Sequence, residues 1–522
     1  MSKKKASFKA YNQHQISLLP INLEELIPSS HMVRVIDDAI EKMDMTPLMS
    51  RYEGGGAPAY SPLMMLKVIV YAYSDKIYSS RRIAKATREN IHFMWLTGNT
   101  PLDFMTINRF RSERLKGIME DIFTEVVKLL MDEGYIKFEN YFLDGTKIEA
   151  NACKYSWVWG KNTHRYMKNL REKVVLHLKE IDIIEAEENA EFADSDLPET
   201  GNGKEINSES IAEFAKKIDE CLALAPESKP LKRAKKAIEK DYLPRMAKYE
   251  NQLEILEERK SYSKTDTDAT FMRMKDDHMR NGQLKPGYNV QIGTEEQFIT
   301  GYSIHQKPGD TTTLKEHVEK VKHHMGGKFP NNIITDAGYG SEENYEFLES
   351  ENITAYVKYN TFHKESSRKW KNDPTKVQNF IYDAQTDTYS CKMGRAFVFL
   401  YERKVKSDNG YTITVRVYEC LNCNGCIHRD NCVKSEQDYA NRRIYINARL
   451  NELKAKVREN LTSEKGLEMR SKRPIEVESV FGNIKGNFGV RRFLLRGMQK
   501  VNIEWGLYAI AHNMRKITAV LS

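Results

Sequence analysis

The chain has 522 residues, of which 40% are hydrophobic and 30% charged, with a formal net charge of +8. That length admits two to four domains around a large core. No apolar run reaches membrane-spanning length and the start of the chain does not resemble a signal peptide, so a membrane protein is excluded and the protein reads as cytoplasmic. The charge is uneven. Residues 471–522 hold nine Lys and Arg against three acids, whereas residues 181–221 hold thirteen acids against three bases. A basic chain with an acidic island suggests a polyanion-binding surface and a separate solvated arm.

Residues 1–135 read as all-helical. Ser30 is the expected cap of a first helix with Val33, Ile36 and Ile40 at helical spacing. The glycines at 54–56 break the pattern, and Ser61-Pro62 opens an apolar helix with Pro in its first turn. After Gly98, a short helix, a turn and a helix carrying Thr106, Asn108, Arg109 and Arg111 are similar to helix-turn-helix DNA readers. A helical packing domain with a basic face is the alternative.

Residues 136–163 change to strand character around LDGTK at 143–147. Residues 164–260 are rich in Lys, Glu, Leu and Ile and read as a charged helical hairpin inserted between strands, with a loop at 194–203. Residues 261–362 return to α/β. GYNVQIG at 287–293 alternates as a strand, and FITGYSIH at 298–305 is its expected hairpin partner. A helix follows from Thr311 to His324. IITDAGYGSEE at 333–343 then reads as a strand ending on Asp336, a glycine turn and a helix capped by Ser341. In open α/β sheets ligands collect at such strand ends. A surface turn with a solvated Asp is the bland alternative. Another strand is expected over 353–359.

Residues 363–442 form a Cys-rich insertion. Five of the seven cysteines fall between Cys391 and Cys432. Cys423, Cys426 and Cys432, with Cys391 upstream, can supply four thiolates to a structural Zn²⁺ with no open position, leaving Cys420 spare. Free thiols are the alternative. Residues 443–522 are helical. Val477, Val480, Phe481 and Ile484 share an apolar face, and Glu478 and Lys485, two turns apart, share its border. Arg491, Arg492 and Arg496 follow as a basic segment.

Hydrolysing a phosphodiester requires an activated water and neutralisation of charge on the attacking and leaving oxygens, which two divalent cations supply. Mg²⁺, or Mn²⁺ in its place, takes hard oxygen ligands, so two or three carboxylates suffice. Asp144 and Asp336 at neighbouring strand ends, with Glu478 from a helix on the sheet, would make such a pocket. Lys485 and the arginines beyond it could hold phosphates.

The motifs resemble bacterial insertion-sequence transposases of the DDE class over nearly the whole chain. The resemblance rests on LDGTKIEAN at 143–151, NGQLKPGYN at 281–289, DAGYGSEENY at 336–345 and VESVFGNIK at 477–485. It implies an α/β fold: a ribonuclease-H-like mixed-sheet catalytic core, completed by the C-terminal helices, with a helical DNA-binding domain before it. The helical hairpin and a small zinc-ribbon-like Cys segment would be insertions. It implies that Asp144, Asp336 and Glu478 bind the catalytic metals. It also implies a homo-oligomer, a dimer being favoured, that binds double-stranded DNA at terminal inverted repeats, hydrolyses the ends and joins the freed 3′-hydroxyl to target DNA. The family's Arg lies four residues before the Glu. Here that position is Pro474 and the Arg is Arg473. Glu476 is a competitor for the third acid, but the spacing to Phe481 and Lys485 favours Glu478. A nuclease without strand transfer and an inactive DNA-binding regulator are the alternatives.

Overall fold

The computed structural model describes residues 22–52, 59–189, 206–224, 226–274, 283–407, 409–433 and 441–521. The glycine break at 54–56, the loop at 194–203 and Asn281-Gly282 of the second motif lie outside the described residues. The chain is mixed α/β and divides into two units, Met1–Ile136 with Trp505–Ser522, and Lys137–Glu504. No described helix is long and apolar enough to cross a membrane.

The described residues of the first unit build helices. Its central helix, Pro62–Ser74, starts at Ser61, whose side chain accepts from the Met64 N–H, and is buried on almost every side. The buried Lys67 on that helix is compensated by Asp37 at 2.7 Å and by Glu41. The helix Met32–Lys42 is capped by His31 rather than Ser30. His31 has extended backbone (φ −70°, ψ 139°) and its side chain accepts from the Val33 N–H, so it is the last residue outside the helix.

The strands of the second unit are β1 (Asn140–Glu149), β2 (Trp157–Trp159), β3 (Ser261–Ser263), β4 (Thr270–Arg273), β5 (Leu284–Glu295), β6 (Phe298–His305), β7 (Asn332–Thr335), β8 (Thr354–Val357), β9 (Ile381–Asp383), β10 (Thr388–Ser390), β11 (Ala396–Lys406), β12 (Thr412–Cys420) and β13 (Arg443–Ile446). The main sheet runs β4-β5-β1-β7-β8, with β6 also pairing β5. β1 pairs antiparallel with β5 on one side and parallel with β7 on the other, and β7 pairs parallel with β8. β5 and β6 are joined at Glu296-Gln297, both with positive φ (51° and 61°), the backbone of a tight hairpin turn. Glu295 receives the backbone N–H groups of Phe138, Glu139 and Asn140 and so fixes where β1 begins.

The segment expected as a two-helix hairpin contains, among its described residues, the helices Gly160–Asn189 and Ser208–Leu224 and a continuous helical run of Lys229–Ala237, a π turn at Ile238–Tyr242 and Leu243–Leu256. Leu170, Val174, Ile211, Ile238 and Met246 belong to a core of its own. The Cys segment builds a five-stranded antiparallel sheet, β13-β12-β11-β10-β9, around Phe397, Tyr418, Cys420 and Ile444.

A chain of polar groups, buried except for Glu316 at its outer end, runs along the main sheet. Glu316 Oε2 lies 3.0 Å from His305 Nδ1, Ser303 Oγ 2.6 Å from His305 Nε2 and 2.6 Å from His317 Nδ1, and Tyr141 Oη 2.7 Å from His317 Nε2. The carboxylate accepts only, so His305 Nδ1 donates to Glu316. Ser303 Oγ links His305 to His317, and His317 Nε2 meets the Tyr141 hydroxyl. Room for the Tyr141 hydroxyl comes from Gly293 and Gly301, where a Cβ would stand 2.2 and 2.1 Å from it.

Burial, reinforced by neighbouring His305 and Lys320, holds His317 well below its ordinary value of 6.5. The hydrogen bond from His305 brings Glu316 down to about 2, with Lys307 adding to it. For His317 the unfolded chain binds the extra proton, so stability is full above about 6.5 and falls as pH drops below it, by up to ~1.4 kcal/mol per pH unit. The Glu316 contribution is full above 4.5 and is lost as pH falls toward 2. The expected result is a urea midpoint lower at pH 5.5 than at pH 7.5. His317→Gln should be less stable at pH 7.5 but should flatten that slope; an unchanged slope would remove His317 as its cause.

Candidate active site

The register of β1 against β7 aligns two aspartates. Asn140, Tyr141 and Phe142 pair with Asn332, Ile333 and Ile334, so Asp144 and Asp336 each lie two residues beyond the last pair on neighbouring parallel strands. Asp336 follows the end of β7, as expected. Asp144 does not end its strand, because β1 continues to Glu149 against β5. What stops near Asp144 is the pairing with β7, so both aspartates stand where the two strands part.

Each aspartate spends one oxygen on backbone. Asp144 Oδ1 accepts from the Gly145 N–H at 2.8 Å, and Asp336 Oδ1 accepts from the Gly338 N–H at 2.8 Å, capping the short turn Ala337–Tyr339. Their other oxygens face Arg473, whose Nη2 is 3.1 Å from Asp144 Oδ2 and 3.9 Å from Asp336 Oδ2. Arg473 Nη1 is 3.8 Å from Glu478 Oε1. Three carboxylates from three elements thus surround one guanidinium. Asp144 and Arg473 are buried, and Arg473 Nε has no hydrogen-bond partner, whereas the side chain of Glu478 is 62% exposed.

Arg473 ends the helix Glu464–Arg473, which packs on β7 and β8. The next five residues, Pro474–Glu478, form a π turn, and a second π turn covers Asn483–Asn487. Proline has no N–H to donate and its ring crowds the preceding turn, which favours the wider winding. Because a π turn closes from i to i+5, Arg473 and Glu478 come to one side despite the extra residue between them. Helical periodicity does not reveal this widening. Val477, Val480, Phe481 and Ile484 are all buried. Glu476 is buried and engaged elsewhere, since its Oε2 accepts from the Gln297 N–H at 2.7 Å and from Thr294 Oγ1 at 3.4 Å.

The basic candidates separate by environment. Lys485 is partly exposed on the second π turn. Arg491, Arg492 and Arg496 are exposed on a segment pinned to the end of β1. Glu149 and residues 491 and 493 exchange backbone hydrogen bonds, Arg492 donates to Asn151 Oδ1 at 3.3 Å, and Arg496 Nε donates to the Asn151 carbonyl at 2.7 Å. In the first unit, Thr106 and Asn108 are half-buried and Arg109 exposed, on the helix Phe104–Arg109. Arg111 differs. It is buried and donates to Tyr73 Oη and the Tyr78 carbonyl, a packing role.

No cysteine forms a disulfide among the described residues. Cys391, Cys420, Cys423, Cys426 and Cys432 line one small cavity together with His428, a residue the spacing argument passed over although it stands between Cys426 and Cys432. Burial and the adjacent Cys423 push the Cys420 thiol up to about 12. Arg442 Nη1 lies 3.1 Å from Cys432 Sγ. Among the described residues no three His, Cys, Asp or Glu side chains are grouped closely enough to hold a metal ion. At the acidic pocket the reason is visible, because a guanidinium separates the three carboxylates.

Residues 390–518 match the family model described as transposase DDE domain, and residues 21–113 match a transposase domain, DUF772. The first stretch contains Arg473, Glu478, Lys485 and the cysteine cavity; the second contains Thr106 to Arg111. Asp144 and Asp336 fall outside both, so their place beside Glu478 rests on geometry. The comparison with curated proteins found no match.

Proposed function

We propose that this chain, an insertion-sequence transposase of the DDE class, hydrolyses DNA phosphodiesters at its Asp144, Asp336 and Glu478 pocket and transfers the freed 3′-hydroxyl to target DNA. The observation that carries the reading is the convergence of the three carboxylates on one buried cationic group. The sheet order supports it, with an antiparallel hairpin on one side of β1 and parallel β7 and β8 on the other, which we read as a ribonuclease-H-like core.

Once Arg473 gives up its place between the carboxylates, the chemistry of the pocket suits a divalent metal. Its donors are hard carboxylate oxygens, those not spent on backbone point inward, and the positive charge they share now is Arg473. Asp144 and Asp336 from the sheet and Glu478 from the helix would hold Mg²⁺ or Mn²⁺, which supplies charge neutralisation and an activated oxygen nucleophile. Arg473 and Lys485 would pair with phosphates beside the scissile bond. Arg491, Arg492 and Arg496 extend that surface, since Glu149 lies five residues beyond Asp144 on β1, about 17 Å along the strand. Thr106, Asn108 and Arg109 would contact the terminal inverted repeats, and the active species would be a cytoplasmic dimer that carries both ends.

The test combines pre-cleaved end DNA, target plasmid and Mg²⁺. A transposase gives joined product. A nuclease on the same core gives only shortened DNA, and that outcome would replace strand transfer with hydrolysis. Joining that survives Asp336→Ala would discredit the site.

The cysteine cavity is proposed to hold a structural Zn²⁺ through Cys391, Cys423, Cys426 and Cys432. Soft thiolates favour that metal, and Cys420 is the spare. Purified protein is expected to carry about one equivalent of zinc, with partial unfolding of the β9–β13 sheet on chelation. Less than half an equivalent by elemental analysis would withdraw the zinc and leave free thiols.

A further inference from the structure

We propose that Asp310, a residue outside the acidic trio, is a positioning residue that sets the geometry of Asp144 and Asp336 through Gln291. This rests on the reading of that pocket as the metal site.

Asp310 lies between β6 and the helix Leu314–His324, on a loop with no motif of its own. Its Oδ1 accepts from Asn289 Nδ2 at 2.8 Å and from Gln291 Nε2 at 3.0 Å, two amides on the same face of β5. A carboxylate can only accept, so it fixes which way both amides point. With its nitrogen held by Asp310, Gln291 must turn its oxygen the other way, and that oxygen accepts the hydroxyl of Tyr339. Tyr339 is completely buried and closes the turn capped by Asp336. The same loop grips this turn a second time, because Thr311 Oγ1 donates to the Gly338 carbonyl at 2.6 Å.

The network also bears on Asp144. Gln291 is the β5 partner of Gly145. A Cβ at Gly145 would stand 2.2 Å from Gln291 Nε2 and 2.7 Å from Asp310 Oδ1, so amide and carboxylate lie directly against the backbone that follows Asp144. One carboxylate therefore braces both aspartate-bearing segments, whose alignment backbone pairing no longer enforces beyond Phe142 and Ile334. Partners of this kind orient metal ligands without touching the metal, and removing them typically costs about 10–100-fold in metal affinity.

Mn²⁺ binding to the full chain, followed by electron paramagnetic resonance, tests this without relying on turnover; circular dichroism checks folding. Asp310→Ala frees the Gln291 amide and should weaken Mn²⁺ binding about tenfold or more. Gln291→Met, at the other end of the same bond, should do likewise. Asp310→Asn keeps an oxygen that accepts from both amides and should stay within about threefold of the parent. If Asp310→Asn falls as far as Asp310→Ala, the charge itself is needed and the positioning role is overturned. If Asp310→Ala folds and binds Mn²⁺ like the parent, or if it misfolds and Gln291→Met binds like the parent, the inference also fails. Asp144→Asn serves as the control for the underlying reading and should abolish binding; if it does not, the metal pocket is wrong, a result distinct from failure of the Asp310 variants alone.

Discussion

Asp144→Ala and Asp336→Ala are each expected to reduce end cleavage by about 10³-fold or more while leaving DNA binding nearly intact. Metal-assisted charge stabilisation is worth several kcal/mol, and every 1.36 kcal/mol is about tenfold in rate. The aspartates are a good place to look for so large an effect because each has one oxygen tied to a neighbouring N–H and the other turned into the pocket. Such a carboxylate is already oriented before substrate arrives. DNA binding should survive because the candidate phosphate contacts, Lys485, Arg491, Arg492 and Arg496, stand on other segments. The measurement is cleavage of a plasmid carrying the flanks of the element, beside a mobility-shift titration. A variant that still cleaves within about tenfold of the parent would show that its carboxylate is not at the chemistry.

Arg473→Met should produce the largest change in stability, and its size should depend on metal. Without metal the three carboxylates lose the cation they share. The side chain of Asp144 is only 10% exposed, so its charge would be left in poor solvent. Breaking a fully buried pair costs about 3–5 kcal/mol. Here the pocket is open on the Glu478 side and two of the three contacts are long, so ~2 kcal/mol is the better expectation. Added Mg²⁺ should restore the variant more than it raises the parent, because in the parent the guanidinium competes for the same oxygens. Thermal unfolding with and without Mg²⁺ measures both halves of the claim. Equal responses of parent and variant to Mg²⁺ would show that Arg473 and metal do not compete for one site.

Much of this architecture was legible in local pattern. The alternation of residues 287–293 and 298–305 gave the β5–β6 hairpin, Ser61-Pro62 gave the start of the buried helix, and Ser341 gave the cap after the Asp336 turn. These features depend on neighbours a few residues apart, which propensity and capping rules describe. Misread features also had local causes. His31 took the capping place of Ser30 because a ring nitrogen can accept there as well as a hydroxyl. The strand of Asp144 ran on because its second partner, β5, is longer than β7. The segment 164–260 kept its two expected helical runs and added a third helix, Ser208–Leu224, which a uniform charged pattern did not separate from them.

What the sequence determined by itself was the inventory: which acids stand at strand and helix positions suited to chemistry, which cysteines cluster, and where basic residues collect. Which acids face the same point was decided by tertiary structure. The register of β1 on β7 aligns Asp144 with Asp336, and a π turn at Pro474 rotates Arg473 and Glu478 toward them. Glu476, two residues from Glu478, is drawn instead to the β5–β6 turn, and Asp310 enters from a loop that no motif marks. Register and helix winding are settled by packing between segments more than a hundred residues apart, and no local pattern encodes the outcome.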